Sequence, residues 1–390
     1  MTDYDVIVVG GGPAGSMAAH AAASGGARTI ILEKDRDIGY PVRCGEATSD
    51  EGLRLFLEPD PRWIAATIRK VRLHSPNNTH VDFPSPGLGY ILHRRIFDYA
   101  LANRASQVGA DIQTRAYVDG LVMDGDVVKG VKYQYMGESR QLSAKIVIAA
   151  DGVESRIGRM AGLRTSVKLI DIESAYQVGV GNLEIDQELL DFYVGSNWAP
   201  GGYLWVFPKG QGMANVGIGV KGSLSRNNKA HDLIHSFLKE YYPQATILST
   251  VAGGVPVAHT LKRIVGNGIM LVGDAGRTVN PISGGGIISG MRSGQIAGEV
   301  AVEALANGDL SGSGLHEYPK RWHKVGGKNH ERFHRIAETV FTITDDQLDG
   351  VAKKLTTNPE KDLSVLKVFT AIAMQKPKIL LDVSRAFAGL

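Results

Sequence analysis

The sequence predicts a mixed α/β protein: a Rossmann-type dinucleotide-binding domain, an antiparallel-sheet domain inserted into it, and a helical C-terminal region. Three observations lead there. An apolar strand, Asp5 to Val9, runs into Gly10-x-Gly12-x-x-Gly15, and an Ala-rich helical stretch, Ser16 to Ala23, follows. Two more apolar runs, at 146–150 and 269–272, end in the same way on an Asp or a Gly, the pattern of buried parallel strands whose carboxyl ends face a ligand. Residues 168–222 instead alternate apolar and polar, as strands of a half-covered sheet do.

The fingerprint stands in its required context. After the helix, Thr29 to Leu32 forms a second strand ending on Glu33. Gly10 permits the tight turn, Gly12 admits a pyrophosphate close to the backbone, and Gly15 lets helix and strand pack. The helix N-terminus offers free N–H groups to phosphate. Glu33 accepts from the ribose hydroxyls and repels a 2′-phosphate.

The remaining elements follow in order. Residues 36–60 read as an irregular loop carrying Gly39-Tyr-Pro-Val-Arg43-Cys44-Gly45-Glu46, and residues 66–92, with several prolines, as short antiparallel strands. A helix is expected from Leu92, bearing Arg94. Turns at Asp124-Gly125 and Met136-Gly137 break two β-rich stretches, residues 230–243 form a helix, and Pro281 to Gly286 opens another that runs to about residue 307. The expected division is a nucleotide domain of 1–70, 92–165 and 256–307, a β-rich substrate domain of 71–91 and 166–255, and helices from 308 to 390.

Composition excludes several classes. With 390 residues, 43% apolar content and a net charge of +3, the chain reads as a globular protein of at least two domains. No basic run of the nucleic-acid type occurs. One cysteine, Cys44, allows neither an intrachain disulfide nor a cysteine-held metal, so no metal site is expected and a reducing, cytoplasmic setting is. No run of about 18 apolar residues spans a membrane, and the early first strand leaves no room for a signal peptide. From Leu363 to Leu390, apolar residues at helical spacing (Leu363, Val365, Leu366, Val368, Phe369, Ile372, Ala373) lie among Lys367, Lys376, Lys378 and Arg385. Such a helix either lies on anionic lipid or packs on the protein's own core.

Tyr203, Trp205 and Phe207 are two apart and share one face of a strand, with Leu204 and Val206 on the other. They form either a core stripe or the wall of an apolar tunnel.

Taken in order, Gly10-x-Gly12-x-x-Gly15, Ala150-Asp151-Gly152 and Gly273-Asp274 resemble the para-hydroxybenzoate hydroxylase-like flavoproteins. Pro200-Gly-Gly-Tyr203-Leu-Trp205-Val-Phe207-Pro208 further matches the PxxYxWxFP pattern of the geranylgeranyl reductase family, most similar to its archaeal branch acting on digeranylgeranylglycerophospholipids. The resemblance implies FAD as cofactor, with Asp274 on its ribitol chain. It implies the loop Pro281, Gly284, Gly286 and Ile287 beside the flavin ring, and Arg94 near the adenosine and phosphates. Val118 is implied at the adenine, with Ala14, Lys34, Arg43, Cys44 and Ala47 as further contacts. It makes Tyr203, Trp205 and Phe207 a wall for a prenyl lipid, and gives Cys44, Tyr203 and Trp205 catalytic roles. A neighbouring Arg43 is expected to favour the Cys44 thiolate. The implied reaction is hydride transfer to an isolated alkene, with ferredoxin or NAD(P)H as electron donor and peripheral membrane contact possible. A flavin monooxygenase and a non-catalytic prenyl-lipid carrier are the alternatives.

Overall fold

A computed structural model describes residues 2–357 and 363–387. In chain order it holds β1 (Tyr4–Val9), α1 (Pro13–Ser24), β2 (Thr29–Leu32), β3 (Ala47–Ser49), α2 (Asp50–Arg54), β4 (Ile64–His74), β5 (His80–Leu92), α3 (Arg94–Gln107), β6 (Asp111–Gln113), β7 (Ala116–Asp124), β8 (Val127–Tyr135), β9 (Glu138–Ala149) and α4 (Arg156–Met160). Then come β10 (Glu173–Gly181), β11 (Leu189–Val194), β12 (Tyr203–Pro208), β13 (Ala214–Lys221), α5 (Ala230–Tyr241), β14 (Thr246–Val255), β15 (Val265–Gly266), β16 (Ile269–Leu271) and α6 (Ile287–Asn307). The C-terminal helices are α7 (Glu317–Trp322), α8 (Lys328–Val340), α9 (Asp345–Thr357), α10 (Val365–Ala373) and α11 (Leu380–Ala386).

Two sheets organise these elements. The first runs β15-β16-β9-β1-β2-β6, with β1, β2, β6, β9 and β16 parallel and the β7–β8 hairpin continuing from the outer half of β9. Its central strands are near-continuous apolar runs because helices cover the sheet: Val6, Ile7 and Val8, like Ile146, Val147 and Ile148, are fully buried with residues of α1 and α6. Each such side chain contributes roughly 1.5–3 kcal/mol on burial. Helix α1 starts where Pro13, lacking an N–H, occupies a position that needs no donor.

The second sheet runs β14-β10-β13-β12-β11-β4-β5-β3 and is antiparallel except where β11 meets β4. One of its faces is closed by α5, whose Ile234, Phe237 and Leu238 pack on Leu204, Val206, Val216 and Ile218. The alternate residues point the other way, toward the first sheet.

Several boundaries differ from the sequence reading. Residues 64–70, expected with the nucleotide domain, belong to β4 in the second sheet, and β3 lies within the stretch read as irregular. The prolines at 84 and 86 do not chop residues 80–92 into short strands. β3 pairs only with Gly89, Tyr90 and Ile91, so Pro84 and Pro86 sit on a free edge where a missing donor costs nothing. Leu92 closes β5 rather than opening a helix, because Leu92 N bonds Glu46 O and His93 N bonds Trp63 O, at 2.9 and 2.7 Å.

The apolar stripe of the C-terminal segment is used internally. Leu363, Val365, Val368 and Ile372 pack with Val71, Val81 and Phe83 of the second sheet, while Leu366, Phe369 and Ala373 pack with α8 and α11. Residues 388–390 of that segment lie outside the described residues. Among the described residues no helix is long and apolar enough to cross a membrane.

Candidate active site

A cavity of about 1970 Å³ lies between the two sheets. At one end are the turns at the carboxyl edge of the parallel sheet; at the other is the face of the antiparallel sheet opposite α5.

The nucleotide end is built from close backbone approach. A Cβ on Gly10 would lie 2.4 Å from Ala150 O, and one on Gly15 would lie 1.9 Å from Gly10 O. Both positions therefore admit only glycine without a backbone shift. Gly12 is different: a Cβ there meets nothing within 4 Å, because it would point into the cavity. No side chain caps α1, and none caps α6 behind Gly286. Two helix N-termini with open N–H groups thus face one cavity, a setting suited to anionic groups. Glu33 is fixed by accepting from Gly11 N at 2.7 Å and Asp35 N at 2.9 Å. Burial pushes its carboxyl up, against the pull of those two donors. Asp151 Oδ2 accepts from Ile157 N at 2.9 Å while Oδ1 is buried without a partner, and Asp274 too is pushed up by burial.

Most residues singled out from sequence line this cavity: Gly10, Gly12, Ala14, Gly15, Glu33, Lys34, Arg43, Cys44, Ala47, Arg94, Val118, Asp274, Gly284, Gly286 and Ile287, with Tyr203, Trp205 and Phe207 across from them. Three details differ. Pro281 is buried in the wall of its loop and does not reach the cavity; Asn280 does, and its Oδ1 shapes the loop by accepting from Ile282 N at 2.9 Å and Ser283 N at 3.3 Å. Arg94 spends its fork on Asp98, at 2.6 and 2.7 Å, and so forms a fixed positive wall rather than a free arm. Cys44 is not held as a thiolate: burial pushes its thiol up, and the cation that opposes this is Arg94, not the exposed Arg43.

The antiparallel face carries Tyr203, Trp205 and Phe207 on β12. The indole of Trp205 lies over Gly217, where a Cβ would meet it at 2.2 Å. Its Nε1 donates to Gln177 Oε1 at 3.2 Å, and Gln177 Nε2 donates to Cys44 O at 3.0 Å. Phe192 packs edge-on to Tyr203 and Phe207, with ring centroids 5.5 and 5.3 Å away. The Tyr203 hydroxyl donates to Ser283 O, strapping the sheet to the glycine-rich loop. Phe207 is the most enclosed of the three, packed among Ala66, Ile68 and Ile91.

The loop between the two ends hangs on Glu46, a group missed in the sequence. Its buried carboxylate accepts from Lys209 Nζ at 2.7 Å, Asn215 Nδ2 at 2.7 Å and Arg94 N at 2.9 Å. Lys209 also donates to Leu92 O at 2.6 Å. The available signal was a lysine directly after the aromatic strand.

Comparison with known proteins agrees with this geometry. A family model described as geranylgeranyl reductase catalytic domain matches residues 171–255, and one described as FAD dependent oxidoreductase matches residues 5–175. A digeranylgeranylglycerophospholipid reductase of Methanococcoides burtonii is 42% identical over 388 residues, covering 98% of this chain and 96% of the relative. One from Methanosarcina acetivorans is 41% identical over 391 residues, with the same coverage of 98% and 96%. The crystal structure of a geranylgeranyl bacteriochlorophyll reductase-like protein from Thermoplasma acidophilum superposes with a TM-score of 0.91 at 36% identity, covering 98% of this chain and 99% of that one. A flavin-dependent brominase, 18% identical with a TM-score of 0.75 over 99% of this chain and 96% of its own, shares the fold.

FAD fits the residues present. The open space at Gly12 would take the pyrophosphate at the α1 N-terminus, Glu33 would accept from a ribose, and the orphaned Asp151 Oδ1 and buried Asp274 could accept from hydroxyls of the cofactor. Accordingly, Gly12→Ala is expected to leave the unfolding free energy of the cofactor-free protein within about 0.5 kcal/mol of wild type. It should weaken FAD binding at least about tenfold, roughly 1.4 kcal/mol, as read by flavin fluorescence titration; unchanged FAD affinity contradicts the cradle. Lys209→Met strands the Glu46 carboxylate in the interior and is expected to cost roughly 3–5 kcal/mol in denaturant unfolding. Adding Glu46→Gln should restore part of that stability. A neutral single variant would show that the pair does not hold the loop.

Proposed function

Since this chain belongs to the digeranylgeranylglycerophospholipid reductase family, we propose that it saturates isolated double bonds in the geranylgeranyl chains of a glycerophospholipid, with FAD as its cofactor. The observation that carries this reading is the continuity of the cavity: one space runs from the FAD cradle to a wall of Tyr203, Trp205, Phe207 and Phe192. A long, branched, uncharged chain needs such a wall, and its reacting bond must lie where the wall meets the flavin.

When bound and reduced, FAD supplies a hydride. The protein's own residues do the rest. An isolated trisubstituted alkene has no carbonyl to take up charge, so hydride delivery requires proton delivery to the neighbouring carbon, with cation character at the more substituted one. The faces of Tyr203 and Trp205 stabilise that charge. The apolar lining keeps out water, which would capture it. Tyr203, donating to Ser283 O, holds the loop against the sheet. Cys44, protonated beneath Arg94, serves as a neutral wall. The reductant, ferredoxin or NAD(P)H, meets the cofactor without a second dinucleotide fingerprint in the chain.

Trp205→Ala separates a substrate wall from a structural stripe. It should retain FAD and lose roughly a hundredfold in the rate of lipid saturation, because misplacement of about 1 Å carries that cost. Flavin occupancy, melting temperature and rate are read on one preparation. Wild-type turnover with a large loss of stability, roughly 3–5 kcal/mol as for a core truncation, refutes the assignment.

A further inference from the structure

A second acid lies on the sheet face beside the aromatic wall. Glu173 is the first residue of β10. Its side chain is on the same face as Ala175 and Gln177, and it lines the cavity. Only 5% of the residue is exposed. Room for its carboxyl comes from two glycines, one on the adjacent strand β13 and one in the bend before β12: a Cβ on Gly219 would lie 2.5 Å from Oε2, and one on Gly202 would lie 3.4 Å from Oε1.

Among the described residues no cation neutralises it. The facing titratable groups are Tyr203, two strands away on β12, and Lys221, its ladder partner on β13. The Lys221 stem runs over Gly201, and burial, not Lys221, is what acts on the Glu173 carboxyl. From β14 the partner is Val255, and the glycine-rich loop brings Gly284 and Ser283 to Tyr203 rather than a charge. A carboxyl so enclosed and unpaired is costly to keep as a structural ion, and a packed core would favour an apolar residue here.

Resting on the reductase reading, we propose that Glu173 is the general acid of this site, giving its proton to the alkene carbon that does not receive the hydride. The balance is complete. The Glu173 O–H bond breaks and the alkene π pair forms a C–H bond at the less substituted carbon. The hydride, carrying two electrons from the reduced cofactor, forms the C–H bond at the more substituted carbon. The alkene is thereby reduced by two electrons and the cofactor oxidised by two. The Glu173 carboxylate regains a proton from water before the next turnover. The other polar groups on the wall are less suited. The Tyr203 O–H is engaged with Ser283 O, the Trp205 N–H with Gln177, and the Cys44 thiol is pushed above its ordinary value. Burial sets Glu173 at about 8, so it is protonated at neutral pH and close to the value that favours proton transfer there.

The sign of its linkage supplies a readout independent of turnover. A carboxyl raised in the folded state binds its proton more tightly there than in the unfolded chain. Stability contributed by the neutral acid is therefore present at low pH and lost as pH rises from the ordinary carboxylate value of 4.5 toward about 8.

The test compares wild-type, Glu173→Gln and Glu173→Asp holoprotein. Glu173→Gln should keep its flavin, lose about 10²–10⁴-fold in saturation rate after chemical reduction with dithionite, and show a shallower decline of melting temperature across that pH window than wild type. Glu173→Asp, still an acid, should retain more rate than Glu173→Gln. Wild-type rate in Glu173→Gln overturns the proposal, as does a melting profile that is the same with and without the carboxyl. Wild-type protein that saturates no prenyl lipid would contradict the reductase reading itself.

Discussion

The buried ion pair between Glu46 and Lys209 is the contact on which the site depends. Glu46 belongs to the loop that leaves the nucleotide-binding unit, and Lys209 to the strand end that carries the aromatic wall. Through Arg94 N the same carboxylate reaches the start of α3, and through Asn215 it reaches β13. One side chain therefore ties the loop and the start of α3 to β12 and β13 of the second sheet. Glu46 adopts a left-handed backbone conformation, φ 70°, which for a residue with a Cβ persists only where the surroundings hold it. Here three donors do so. Cys44 is drawn into place as a consequence, with Glu46 N donating to its sulfur at 3.2 Å and Gln177 holding its carbonyl.

This arrangement governs the electrostatics of the space it encloses. Glu33, Asp151, Asp274, Glu173 and Cys44 are all pushed toward their neutral forms by burial. Two of the buried charges beside this space are held as pairs: Arg94 with Asp98, Lys209 with Glu46. The result is a low-dielectric chamber in which aromatic faces and single hydrogen-bond donors act strongly. That suits a reaction whose substrate is a hydrocarbon and whose transition state alone is polar.

What the sequence disclosed followed the range of the interactions. The nucleotide turn was legible because its chemistry is local: Gly10, Gly12, Gly15 and Glu33 lie within one β-α-β unit, Gly15 answers to Gly10 and Gly10 to Ala150 at the end of a strand with the same signature, and Gly12 opens onto the cavity. The shared face of Tyr203, Trp205 and Phe207 followed from strand period alone. The Glu46–Lys209 clamp joins residues 163 apart, and no periodicity announces such a pair. Arg43 and Arg94 exchanged roles for the same reason: adjacency in sequence suggested the first, while packing brings the second to Cys44. Residues 64–70 were misassigned because a strand's pattern does not say which sheet it joins. Glu173 was readable as a polar residue in phase with Ala175 and Gln177, but its lack of a partner appears only when the neighbouring strands are in place.

The central claim is that a flavin cradle and a prenyl-sized apolar wall form one reducing chamber. Mass spectrometry of a geranylgeranyl glycerophospholipid, incubated without oxygen with dithionite-reduced holoprotein, tests it most directly. The account predicts a lipid that gains a pair of hydrogens for each double bond saturated and no oxygen. Lipid recovered with unchanged mass, or carrying added oxygen when the same reaction is run in air, would contradict it.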